Sequence, residues 1–117
     1  MNKPTFRPMN TINFSMFVDG FNNRKDNFSY LGLRALFNDL KELGLCLEHE
    51  LEFNPIAICC EYTEESTQYF IENYGILDEI NIDGMDEKEV DEVAVEWLDS
   101  RTRVVRVNEN TIIVQDF

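Results

Sequence analysis

The sequence predicts an α+β domain, with about four helices over one face of a mainly antiparallel sheet of about three strands. Three observations predict it. Two stretches carry apolar residues at helical spacing. Near the end, two β-branched runs flank Asn108-Glu109-Asn110, the pattern of a hairpin. The order along the chain is helices, strand, helices, hairpin, which segregates helix from sheet. Composition agrees: 44% of the 117 residues are hydrophobic, 12% are aromatic, and nine are Phe. A chain of this length is one domain by size and can bury a core without staples.

The elements follow in order. Residues 1–10 read as a flexible N-terminal tail, because Pro4 and Pro8 oppose regular structure; Met9 offers an alternative start. Residues 11–117 then form a single domain. In INFSMFVDGFNNR, Phe14, Phe17, Val18 and Phe21 share a helical face and Asn13 can cap it. NNRKDN breaks the pattern. FSYLGLRALFNDLKELG is the clearest helix. Ser29 is a good N-cap, Phe28 can staple onto Leu33, and Leu33, Leu36, Phe37 and Leu40 make one apolar stripe. Gly44 is a stop signal.

LCLEHELEF leads in as an extended segment. PIAICCEY, near 55–62, reads as the first strand: short, apolar and bounded by Pro55. TEESTQYFIENYG reads as a short helix with Tyr69, Phe70 and Tyr74 on its inner side and Gly75 at its end. ILDEINIDGM is a loop turning at Asp83-Gly84. In DEKEVDEVAVEWLDSR, Val90, Val93, Ala94 and Trp97 stand at i, i+3, i+4 and i+7. Acids crowd its first turn, where the macrodipole favours them, and Asp86 or Met85 is the cap. The closing strands fall near 103–108 and 111–116.

No chemical motif is complete. On a strand, Cys59 and Cys60 point to opposite faces, so both read as small hydrophobes of the core. Cys46, His49, Cys59 and Cys60 are soft ligands of the kind zinc takes, but Cys46 and His49 form only a C-x-x-H pair. His49 is also the sole histidine available as a base for a thiol. EINIDGMDEKEV places Asn81, Asp83 and Gly84 at calcium-loop spacing, yet Val90 stands where the bidentate Glu is needed. Phosphate-cradling glycine loops and serine elbows are not seen. The expectation is a protein without catalytic residues, metal or cofactor. Three cysteines make no disulfide framework, and the reading is a reducing cytoplasm. The chain has no apolar run of transmembrane length and its first residues lack the apolar centre of a signal peptide.

Charge is the strongest functional signal. The chain carries 23 acids against 10 bases, a net charge of -13. Between Glu48 and Asp99 there are 17 acids, and Lys88 is the only lysine or arginine. Such a surface repels nucleic acid and anionic membranes, and its partners are basic surfaces or cations. Two readings stay open. The acids form a solvated face, or they imitate the phosphate rows of nucleic acid and compete for an Arg/Lys groove. On the second reading the contacts are Glu61, Glu64 and Glu65 after the expected strand, with Asp86, Glu87, Asp91, Glu92 and Glu96 on the acidic helix.

"NFSYLGLRALFNDLKELG", "PIAICCEYTE", "YFIENYG" and "VVRVNENTIIVQDF" together resemble a family of small acidic proteins carried by bacterial phages, prophages and plasmids. The resemblance covers residues 14–75 and 103–117, and the stretch 76–100 is longer than the family's usual spacing. It brings no catalytic residues. It implies a mobile-element setting, in which small acidic proteins often act against host defence. The expected function is thus a non-enzymatic inhibitor of a nucleic-acid-directed defence system, of the anti-CRISPR or anti-restriction kind. It would bind a basic protein surface, not nucleic acid or membrane, as a monomer or homodimer. The alternative is a small regulatory or accessory protein-binding module without mimicry.

Overall fold

The computed structural model describes residues 7–22, 26–46 and 51–117. By its contacts the chain divides into two compact units, Met1–Glu61 and Tyr62–Phe117. In chain order the elements are α1 (Phe14–Asp19), α2 (Tyr30–Cys46), α3 (Pro55–Glu61), β1 (Tyr62–Ser66), α4 (Thr67–Asn73), α5 (Glu87–Asp99), β2 (Val104–Arg106) and β3 (Thr111–Gln115). The class is α+β with a three-stranded antiparallel sheet.

The first unit is helical and aromatic. Asn13 caps α1 by accepting from the Met16 N–H at 2.9 Å, and Ser29 caps α2 by accepting from Gly32 N–H at 2.9 Å. Gly44 does not stop α2, which runs two residues further. Phe17 packs its ring against Phe21, Phe37 and Phe53 at centroid distances of 5.0–5.3 Å. Gly20 sits under Phe53: a Cβ built there would lie 2.6 Å from the ring. Residues 7–10, expected in a tail, are built into this unit. Pro8 bridges Glu52, Met9 N–H donates to Leu51 O at 2.7 Å, and Met9 is fully buried. Residues 1–6 lie outside the described residues, as does His49.

The expected strand at 55–62 is instead the helix α3, and the chain turns extended only at Tyr62. The cause is the pair Asn54-Pro55. Asn54 accepts from Ala57 N–H at 3.1 Å as an N-cap, and proline at the first helical position lacks only an N–H that would have no partner in the helix. This start signal outweighs the β-branched character of Ile56 and Ile58. Cys59 and Cys60 consequently diverge by about 100° around a helix. Cys59 is half-buried and Cys60 is exposed, so Cys60 is not a core residue.

The second unit holds the sheet. Strand order is β1-β3-β2, with the last strand in the centre. Tyr62 pairs with Gln115 and Ser66 with Thr111 on one side of β3; Val104 pairs with Val114 and Arg106 with Ile112 on the other. Central position explains why Ile112, Ile113 and Val114 are buried in succession. Ile112 and Val114 share one face with Phe70, Ile71, Ile76, Ala94 and Leu98, which joins α4 and α5 to the sheet. Ser66 ends β1 and caps α4, accepting from Tyr69 N–H at 3.1 Å. Gly75 ends the α4 turn in the left-handed region, at φ +62°.

Candidate protein-binding interface

The acidic helix α5 is set by its cap and its apolar stripe. Asp86 accepts from Glu89 N–H at 2.8 Å, and Asp86 with Glu89 three residues on is the spacing of a capping box. Ala94 and Leu98 are buried, and Val90, Val95 and Trp97 pack on the same core. That orientation leaves Lys88, Glu89, Glu92, Glu96 and Asp99 exposed. At the helix end Arg101 is engaged locally. Its guanidinium lies 3.8 Å over the Trp97 ring and donates to Trp97 O at 3.0 Å.

A groove of about 780 Å³ runs between the first turns of α5 and the β2–β3 turn. Glu87, Lys88, Asp91 and Glu92 form one wall; Arg106, Asn108, Glu109 and Asn110 form the other. The turn is self-bonded. Asn108 Oδ1 accepts from Asn110 N–H at 2.9 Å, and Arg106 donates to the carbonyls of Asn108 and Glu109 at 3.3 and 3.4 Å. A neighbouring groove of about 540 Å³ shares Glu87, Asp91 and Asn110 and adds Ser66, Gln68 and Asp86. Asp91 sits at the junction. Partial burial, then the Glu87 charge, raises its carboxyl above the usual aspartate range, against the opposing pull of Arg106.

The expected contact residues separate. Asp86, Glu87, Asp91 and Glu92 come together along these grooves. Glu96 is exposed on α5 but outside them. Glu64 and Glu65 lie on β1, where they alternate across the sheet opposite Ile113 and Ile112. Glu61 ends α3, in the first unit. Among the described residues no three His, Cys, Asp or Glu side chains gather as a metal site. In the calcium-like loop, Asn81 Oδ1 is turned to Asp83 N–H at 3.0 Å and Asp86 to its cap.

Sequence reasoning missed Arg106, Asn108 and Asn110, which reach the groove only because the hairpin turn folds beside α5. It also misplaced Tyr69 and Tyr74. Phe70 alone of the three aromatics is buried; Tyr69 is 39% and Tyr74 36% exposed. A phenol tip that can stay in water was the available signal. No helix among the described residues is long and apolar enough to cross a membrane. Compared with family models, with curated proteins and with solved structures, the chain gives no match.

Proposed function

We propose that this protein is a non-enzymatic binding protein whose acidic second unit occupies a basic, nucleic-acid-directed surface of a partner. One observation carries the reading. Glu89, Glu92, Glu96 and Asp99 lie on the solvent face of α5, and Glu87 and Asp91 line the groove beside its first turns, all within one unit. The unit as a whole has 15 acids against four bases. Such a field steers association with a basic groove and raises the encounter rate, and the effect weakens as salt rises. With the resemblance to mobile-element proteins, the specific form of the proposal is an inhibitor of a bacterial defence complex, an anti-CRISPR or anti-restriction protein.

The test is capture from a bacterial lysate at low and high salt, with mass spectrometry of the retained proteins. A nuclease or CRISPR subunit held at low salt and released at high salt is expected. Glu92→Lys with Glu96→Lys, both at exposed positions of α5, should abolish capture while the circular dichroism spectrum stays native. Capture undiminished by that folded double variant overturns the proposal. The accessory-module alternative rests on Tyr30, Leu31 and Leu45, large side chains exposed along α2, and it predicts a salt-resistant partner instead.

A further inference from the structure

Acids speed encounter, but residence depends on buried anchors, and aromatic residues are the usual ones. The second unit carries a group of them at its surface. Tyr74 and Phe117 stand 5.5 Å apart at an interplanar angle of 32°. Phe70 lies beneath Tyr74 at 5.7 Å and also touches Tyr69 at 5.3 Å. Phe70 is fully buried, so it holds the exposed rings in place from below. Phe117 is 56% exposed. Two tyrosine rings and one phenylalanine ring thus border solvent on a rigid footing.

The electrostatics around the rings are negative. Burial, then Asp116 and Tyr69, pushes the Tyr74 phenol above its ordinary value, and Asp116 directly precedes Phe117 in the chain. The chain has no lysine or arginine from Tyr62 through Glu87. Aromatic faces attract cations, and arginine more often than lysine, because a planar guanidinium stacks as well as pairs. A neighbouring carboxylate supplies the bidentate acceptor that arginine favours.

We infer that the exposed Tyr74–Phe117 ring pair, with the Asp116 carboxylate next to it in the chain, is a seat for an arginine side chain of the partner. The inference rests on the reading of a basic partner and adds the contact that retains it. Tyr74 follows the C-terminal end of α4 and the smaller groove is lined by Ser66, Thr67 and Gln68 at its N-terminal end, an axial separation of roughly 10 Å at 1.5 Å per residue. A basic segment of a few residues spans that separation.

The test titrates the intact chain with an oligoarginine and an oligolysine peptide of equal length, at low and high salt, by calorimetry. The wild-type chain should prefer oligoarginine and keep that preference at high salt. Tyr74→Leu with Phe117→Leu retains apolar area but removes the π faces; it should lose about tenfold in oligoarginine affinity and most of the preference. Should the pair not fold, Phe117→Leu alone, at an exposed position, carries the comparison. Glu92→Lys with Glu96→Lys should weaken both peptides equally, and at low salt only. Unchanged arginine binding by the leucine variants overturns the seat and leaves the basic-partner reading intact. No binding of either peptide to the wild-type chain at low salt overturns both. Loss in the leucine variants with no effect of the α5 reversals keeps the seat and removes α5 from the interface.

Discussion

Asp91 carries the clearest titration signature of the acidic face. Its raised pKa means that the folded carboxyl holds its proton to higher pH than the unfolded one. Ionised Asp91 therefore costs stability at neutral pH, and the cost fades as pH falls through the folded value. Asp91→Asn is expected to raise stability slightly at pH 7, within about 0.5 kcal/mol. The gain should shrink toward zero on acidification, as read by urea titrations across pH. Gly20 is a harder constraint. Any Cβ there meets the Phe53 ring at 2.6 Å, so Gly20→Ala should destabilise the first unit by about 1–3 kcal/mol. The sequence displays Gly20 without its reason, because the ring that forbids a side chain arrives 33 residues later, at Phe53.

At the scale of elements, what was legible was whatever local chemistry decides. Asn13 and Ser29 cap the helices they were expected to cap, and of the two candidates for α5, Asp86 and Met85, the cap is Asp86. The hairpin turns at Asn108-Glu109-Asn110, and of the expected α5 stripe Ala94 is buried and Val90 and Trp97 pack on the core, while Leu98, outside that stripe, is buried and Val93 is only half-buried. What failed was arbitration by side-chain shape. Ile56, Ile58 and the cysteines suggested a strand, while the polar TEES that follows suggested a helix, and the two are reversed. β1 is an edge strand, and polar, charged side chains suit an edge that must not pair with other chains. The cap pair Asn54-Pro55 was visible and should have prevailed. Asn54→Ala removes that cap and is expected to cost about 1 kcal/mol in denaturant titration. The candidate site was half legible for a related reason: Asp86, Glu87, Asp91 and Glu92 share one helix, while Arg106 and Asn110 join them only through tertiary placement.

For the whole molecule, charge is the controlling variable. A net charge of -13 on 117 residues is self-repulsive, and most of it falls on the second unit. Salt screens that repulsion over about 10 Å at 0.1 M. Raising sodium chloride should therefore lift the melting temperature by a few degrees, while it weakens capture of a basic partner. The opposite signs of these two responses separate screening of the fold from screening of the interface. A melting temperature that falls with salt would show that attractive ion pairs outweigh the repulsion.

The strand order has a consequence during synthesis. β1 and the start of α4 bond to the β2–β3 hairpin across separations of 43 residues or more, the shortest being Thr67 to Asn110. The hairpin closes by itself in microseconds, but β1 leaves the ribosome seconds before β3, its strand partner among the described residues, exists. During that wait a hydrophobic strand would be an aggregation hazard. Tyr-Thr-Glu-Glu-Ser is not one. Glu64 and Glu65, which line neither groove, are the kind of side chain that suits a strand waiting in water until the nascent chain delivers its centre.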